Sequence, residues 1–201
     1  MRVFGLTGGI ASGKSAVLGV FRAQGVGTVD ADELAREVVL PGTDGLGALV
    51  EAFGSGVLDH AGSLDRKRLA ELVFGDVAAR RRINAIVHPR VAAASQARFA
   101  ALAAQGFTLG CYDAALLVET GLADAFRPLV VVAAARATQK ARLVARDRLS
   151  PEEADARLDA QAPLERKLAA ADVVVWNDAD LATLQVRARE ALDVVKTKLG
   201  G

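Results

Sequence analysis

The sequence predicts an α/β fold in which a parallel five-stranded sheet carries helices on both faces. Five short apolar runs recur along the chain, and segments with helical spacing or helix caps separate them. Such alternation is typical of a parallel sheet, whose strands are joined by helical crossovers and are buried on both faces. Ligands of these sheets gather beyond the carboxyl ends of the strands, so the residues after each run are candidates for a functional site. The runs cover residues 3–6, 27–29, 107–112, 129–133 and 173–176.

The first run leads into a loop that fits the phosphate-binding pattern G-x-x-x-x-G-K-[ST]. Residues 8–15 read GGIASGKS, and a helix is predicted over residues 15–24 with Gly25 ending it. Glycines let successive N–H groups point at phosphate oxygens, while the positive end of the helix faces the same anion. Lys14 then reaches the outer phosphates and Ser15 offers a hydroxyl to Mg²⁺. The alternative is a glycine-rich turn that binds nothing, but the strand before it and the helix after it favour a nucleoside triphosphate site.

Two carboxylates, Asp30 and Asp32, follow the second run, with a helix predicted over residues 33–39. A kinase needs a carboxylate that orients the attacking hydroxyl and accepts its proton, and Asp32 is the candidate for that role. The alternative is helix capping, for which aspartate is well suited. One cap needs one carboxylate, so the presence of two favours a functional role for Asp32.

A long helical region, residues 32–105, separates the second run from the third and predicts a subdomain that holds a substrate. Within it the Pro41-Gly42 and Phe53-Gly54 pairs separate helices, and Asp65 precedes another helix. The His88-Pro89 pair predicts a turn that enters a helix and holds its imidazole in a hydrogen bond.

A helix predicted over residues 138–147 follows the fourth run and carries Arg142 and Arg146 on one face. Two guanidinium groups there could close over a transferring phosphate and neutralise its charge, as a lid would. A solvated basic face is the other interpretation. Ser150 begins the next helix with a capping-box pattern. Asp113, after the third run, is a weak candidate for the acid beside Mg²⁺.

Composition indicates one compact domain and excludes several functional classes. The chain has 201 residues, of which 52% are hydrophobic, and a formal net charge of +1, so no overall field recruits nucleic acid or an anionic membrane. The single cysteine, Cys111, excludes an internal disulfide framework or a cysteine-rich metal site. Without a targeting segment or a membrane-length apolar run, a cytoplasmic protein is expected. We also expect a monomer that needs no protein partner, with weak self-association left open.

The order and spacing of short motifs along nearly the whole chain resemble one family, the dephospho-coenzyme A kinases. No later motif is specific alone, but the set is. The motifs are TGGIASGKS (7–15), DADELAR (30–36), VVLPG (38–42), LDRKRL (64–69), IVHPRV (86–91), LLVE (116–119), RDRLS (146–150), QAPLERK (161–167) and ADVVVWN (171–177).

The resemblance implies a P-loop kinase-type domain that phosphorylates the ribose 3'-hydroxyl of dephospho-coenzyme A with ATP and Mg²⁺, giving coenzyme A and ADP. It implies a core of about residues 1–31, 106–135 and 170–201, an acceptor-binding subdomain of about residues 32–105 and a lid of about residues 136–169. It gives Asp32 the role of base, with Lys14, Arg142 and Arg146 on the phosphates. The implied ATP-binding residues are Gly9, Ile10, Ala11, Ser12, Gly13, Lys14, Ser15, Arg142, Arg146 and Asn177, with Ser15 on the metal. The implied acceptor residues are Asp32, Arg36, His88, Pro89, Leu116 and Glu119.

Two other functions remain open from the residues alone. A kinase for another small molecule or a nucleotide would use the same scaffold. A GTPase-type switch would also use the phosphate loop, but residues 177–180 read NDAD and lack the lysine of the guanine-reading N-K-x-D pattern. The long helical region after Asp32 also differs from the short mobile loops that a switch requires.

Overall fold

The computed structural model describes residues 1–200 and contains the predicted five-stranded parallel sheet. Its strands are β1 (Arg2–Gly8), β2 (Gly27–Asp30), β3 (Leu109–Asp113), β4 (Leu129–Ala133) and β5 (Val173–Trp176). The strand order β2-β3-β1-β4-β5 puts β1 at the centre, paired in parallel with β3 and β4. The phosphate-binding pattern therefore begins at the carboxyl end of the central strand.

Helices connect these strands. Within residues 1–200 they are α1 (Lys14–Ala23), α2 (Ala31–Glu37), α3 (Asp44–Phe53), α4 (Arg66–Val73), α5 (Val77–Ala104), α6 (Arg136–Asp147), α7 (Pro151–Asp159), α8 (Leu164–Ala170) and α9 (Leu181–Lys198). All residues of β3 and β4 are buried, as expected for central strands covered on both faces. On one face α1 and α9 pack together over the sheet, and α8 contacts β4.

The chain divides into two compact units. The first comprises residues 1–29 and 101–201, of which 1–29 and 101–200 are described, and contains the sheet with α1 and α6 to α9. Its core includes Phe4 and Phe21, whose rings meet edge to face with centroids 5.6 Å apart. The second unit, residues 30–100, is helical and buries Leu34, Leu46, Leu49 and Val57. No helix within residues 1–200 has both the length and the apolar character needed to cross a bilayer.

Several element boundaries differ from those predicted. The helix predicted over residues 33–39 begins at Ala31, because the side chain of Asp30 caps it by accepting from the amides of Asp32 and Glu33. The third strand begins at Leu109 instead of residue 107. The Phe107 amide donates to the Leu102 carbonyl and so belongs to the end of α5, where Gly106 has a φ of 93°.

The predicted turn at His88-Pro89 is wrong. Both residues lie inside α5, and the exposed imidazole makes no hydrogen bond to residues 1–200. A proline removes one helical hydrogen bond and often marks a boundary. Here the helix continues because good helix formers, chiefly alanine and arginine, flank the proline on both sides. The guanidinium of Arg90 also donates to the Ile86 carbonyl at 2.7 Å.

Candidate active site

A groove of about 870 Å³ opens beside the loop that follows β1. All eight residues of the phosphate-binding pattern, 8–15, line it together with Arg142, Arg146 and Gln161. These side chains come from the segment between β4 and β5, so two distant parts of the first unit form the groove. Its volume suits a nucleotide-sized ligand.

The carbonyl groups of residues 9–12 in the loop all accept hydrogen bonds from the protein. Within the loop, the Gly9 carbonyl accepts from the Ser12 amide at 3.0 Å. Side chains from the later half of the chain reach the next three carbonyls: Gln139 donates to Ile10 at 2.7 Å, Arg142 to Ala11 at 3.4 Å and Asn177 to Ser12 at 2.7 Å. Carbonyl oxygens would repel an anion, so pairing them with protein donors prepares the loop for phosphate.

Only some of the loop's amide groups donate hydrogen bonds to the protein. Those of Ile10 and Ser12 donate to protein acceptors. Those of Ala11, Gly13, Lys14 and Ser15 take part in none of the hydrogen bonds found among residues 1–200. Four consecutive or near-consecutive N–H donors at a helix start form an anion-binding concavity. The loop therefore has the polarity that a polyphosphate requires.

Gly13 shows why this geometry needs glycine. Its φ of 95° lies in the left-handed region, and a Cβ there would lie 2.0 Å from the amide nitrogen of Asn177. Asn177 is buried and also accepts from Arg142 through its backbone carbonyl at 3.0 Å. The end of β5 is thus packed directly against the loop.

Lys14, which lines the groove, pairs with the buried carboxylate of Asp113. Asp113 ends β3, next to β1, and accepts a hydrogen bond from the Lys14 ammonium. Ser15 has an exposed hydroxyl one residue further on. No group of three or more His, Cys, Asp or Glu side chains within residues 1–200 could hold a metal alone. A hydroxyl and a carboxylate nevertheless fit Mg²⁺, which commonly takes one or two protein ligands and completes its shell with phosphates and water.

Comparison with known proteins assigns this geometry to a family. The family model described as dephospho-CoA kinase matches residues 2–183. A curated dephospho-CoA kinase of Anaeromyxobacter dehalogenans is 52% identical over 88% of this chain and 84% of its own length. The chain belongs to the dephospho-CoA kinase family.

Solved structures agree with that membership. A Thermus thermophilus protein superimposes with a TM-score of 0.81 at 33% identity, over 100% of this chain and 98% of its own. The dephospho-CoA kinase of Campylobacter jejuni gives a TM-score of 0.68 at 25% identity, over 97% and 98% of the two chains. The P-loop kinase fold predicted from the sequence is thereby confirmed.

In this dephospho-CoA kinase family member, the predicted ATP-side residues all lie at or beside the groove. Residues 9–15 and the two arginines line it, and Asn177 holds the loop from outside. Arg146 also donates to Asp147 at 2.7 Å, and that hydrogen bond lowers the pKa of the Asp147 carboxyl below its ordinary value. The ligand contacts of these residues stay predictions.

The predicted acceptor-side residues fall into two groups. In the helical unit, Asp32, Arg36 and His88 are exposed, and their side chains make no hydrogen bond or ion pair to residues 1–200. Because Asp30 supplies the cap of α2, the capping interpretation of Asp32 is not needed. Pro89 is exposed within α5.

The second group lies after β3 in the sheet-containing unit. Leu116 is 44% exposed, whereas Glu119 forms an ion pair with Lys167 at 2.5 Å and accepts from the Ala162 amide at 3.1 Å. Burial acts to raise the pKa of Glu119, but the hydrogen bonds from Lys167 and Ala162 outweigh it, and the pKa lies below its ordinary value. Glu119 thus joins the loop after β3 to α8 and to the segment that precedes it.

Sequence reasoning missed three of the side chains that build this site. Gln161 and Lys167 lie in the QAPLERK motif, but no role was assigned to them. No sequence pattern indicates a role for Gln139, since a glutamine in the first turn of a basic helix is ordinary. Their partners are backbone groups or side chains far away in sequence, which no local pattern can indicate.

Proposed function

We propose that the chain transfers the γ-phosphoryl group of ATP to the ribose 3'-hydroxyl of dephospho-coenzyme A, giving coenzyme A and ADP. The observation that supports this most is a groove-lining loop whose carbonyls from Gly9 to Ser12 are paired with protein donors while four of its amides are not used within residues 1–200, in a chain of this family. A relative named dephospho-CoA kinase that shares 52% identity supplies the acceptor in this proposal.

In the transfer, a bond forms between the acceptor oxygen and the γ-phosphorus, and the bond from that phosphorus to the oxygen bridging to the β-phosphate breaks. The hydroxyl proton passes to the carboxylate of Asp32, which is exposed and makes no hydrogen bond within residues 1–200. Lys14, Arg142 and Arg146 compensate charge on the phosphates, and loop amides position the β-phosphate. ADP keeps the electron pair of the broken bond.

We assign the divalent cation as Mg²⁺, which the Ser15 hydroxyl would hold, with the Asp113 carboxylate beside Lys14 as the nearby acid. When bound it would neutralise phosphate charge and orient the triphosphate. Arg36, His88, Pro89 and Leu116 are proposed to line the acceptor side, with Glu119 supporting the loop that carries Leu116. The cytoplasmic location, the monomeric state and the subdomain roles stay predictions.

The test measures ADP release by purified protein with Mg²⁺ and ATP, with dephospho-coenzyme A, adenosine, AMP or no acceptor. We expect release with dephospho-coenzyme A alone and a product heavier by one phosphate. Release with adenosine or AMP would point to a different small-molecule kinase. Preferential GTP hydrolysis without transfer to any acceptor would point to a switch. Lys14→Ala, which should abolish release, is the matched control for contaminating kinases.

A further inference from the structure

Two glutamines hold the backbone of one residue of the phosphate-binding loop, Ile10, through its N–H and its carbonyl. The Ile10 amide donates to Oε1 of Gln161, and the Ile10 carbonyl accepts from Nε2 of Gln139, each at 2.7 Å. Gln139 lies in the first turn of α6, and Gln161 follows α7. The two ends of the α6–α7 hairpin thus meet at a single loop residue, Ile10, and bind the two peptide groups on either side of its Cα.

The polarity of these two contacts is fixed. A backbone N–H can only donate and a backbone carbonyl can only accept, so Gln161 must present its oxygen and Gln139 its nitrogen. The side-chain amide orientations, which are often ambiguous, are determined here by their partners. The two glutamines therefore have opposite requirements: position 161 needs an acceptor and position 139 needs a donor.

Packing leaves little room for either contact to move. Gln139 is 8% exposed, and a Cβ on Gly9 would lie 2.4 Å from its Nε2. The residue after Gln161, Ala162, is anchored through its amide to Glu119, which pairs with the buried Lys167. Both glutamines are thus held by structure beyond the loop itself.

We propose that Gln139 and Gln161 are positioning residues that hold the two peptide groups flanking Ile10 so that the amides after Ile10 face the phosphates. The proposal rests on the proposed function for its meaning in catalysis, but it concerns nucleotide binding. Neither contact uses the amides of Ala11, Gly13, Lys14 or Ser15, so the clamp does not compete with a bound polyphosphate for donors.

The experiment compares four variants of similar side-chain volume: Gln139→Met, Gln139→Glu, Gln161→Met and Gln161→Glu. The methionines remove the hydrogen bond without adding charge. Glutamate restores an acceptor at either position but a donor at neither. The readout is the Kd for ADP by calorimetry, with KM for ATP, kcat and the melting temperature of each variant measured alongside.

We expect both methionine variants to weaken ADP binding by about 2- to 10-fold, the value of one or two hydrogen bonds. Gln161→Glu should bind ADP more tightly than Gln161→Met, whereas Gln139→Glu should bind more weakly than Gln139→Met. The main effect should fall on KM for ATP and not on KM for the acceptor.

A simple charge effect predicts the reverse order of the Met and Glu variants at position 161. Gln161 lines the phosphate groove and Gln139 does not, so an added carboxylate would repel ADP more strongly at position 161. Weaker binding by Gln161→Glu than by Gln161→Met, or wild-type binding by Gln139→Glu, would overturn the proposal. If Gln139→Glu fails to fold, the pair at position 161 decides alone. Since ADP binding is measured without acceptor, a wrong acceptor assignment would leave this result intact.

Discussion

The phosphate-binding loop and the helical unit of residues 30–100 treat their candidate functional groups in opposite ways. In the loop, each carbonyl from Gly9 to Ser12 has a protein partner, and the side chains that supply three of them come from far along the chain. In the helical unit, Asp32, Arg36 and His88 are exposed and make no hydrogen bond or ion pair within residues 1–200. The nucleotide side is preorganised by the protein, and the candidate acceptor side chains keep their polar groups available for a ligand.

The largest effect should come from replacing Asp32, one of two neighbouring carboxylates in the helical unit. Asp32→Asn should lower kcat by about 10²- to 10⁴-fold, because it removes the proposed proton acceptor. It should leave the Kd for ADP and the melting temperature near those of the wild type, since the side chain has no structural partner. Steady-state kinetics, calorimetry and thermal unfolding measure the three quantities.

Asp30→Ala is the matched control, because Asp30 caps α2 at 2.8 and 3.0 Å through the Asp32 and Glu33 amides. Losing this cap should cost about 0.5–2 kcal/mol of unfolding free energy. Asp32→Asn should therefore lower kcat and leave stability unchanged, whereas Asp30→Ala should lower stability. Turnover by Asp32→Asn within a few-fold of the wild type would remove this residue from the mechanism.

The same contrast explains what the sequence could predict. Motifs local in sequence were sufficient for the loop, Lys14 and the helix cap at Ser150, whose capping box is present with the side chain accepting from the Glu153 amide at 3.1 Å. Apolar runs were sufficient for the five strands, because burial on both faces leaves a nearly continuous hydrophobic signal. These features depend on backbone geometry within a few residues.

Features that depend on tertiary packing were not predictable. The order of the strands brings Asp113 beside Lys14, so a weak candidate is the partner of a lysine that lines the groove. The turn predicted at Pro89 is wrong because the helix on either side overrides the local preference of proline for a helix boundary. Glu119 was assigned to the acceptor side by family resemblance, but only the structure gave it Lys167 as a partner.

A second prediction concerns that buried pair. Lys167 is 2% exposed, so Lys167→Met leaves the Glu119 carboxylate partly buried without its cation. Breaking such a pair from one side should lower the free energy of unfolding by about 3 kcal/mol. The double variant Lys167→Met, Glu119→Gln should recover part of the loss, because no unpaired charge remains. Denaturant unfolding of the single and double variants measures both effects.

The pH dependence of this effect has a definite sign. Folding lowers the pKa of Glu119, so its contribution to stability is present above its unfolded pKa, about 4.3, and is lost as pH falls through the folded value. The stability difference between the wild type and Glu119→Gln should therefore shrink below about pH 4. A difference that stays constant down to pH 3 would contradict the ion pair as its source.

The smallest effect should come from an exposed ion pair in the helical unit. Arg98 donates to both oxygens of Glu37 at 3.0 Å, but the side chains are 59% and 37% exposed. Exposed pairs gain little because water already solvates both charges and salt screens them, so Arg98→Ala should change the free energy of unfolding by less than about 1 kcal/mol. Urea unfolding beside Lys167→Met, at low and at 0.5 M salt, compares the two pairs directly. If Arg98→Ala lowers the free energy of unfolding as much as Lys167→Met does, burial does not decide the strength of these pairs. The energetic contrast between the two regions would then fail.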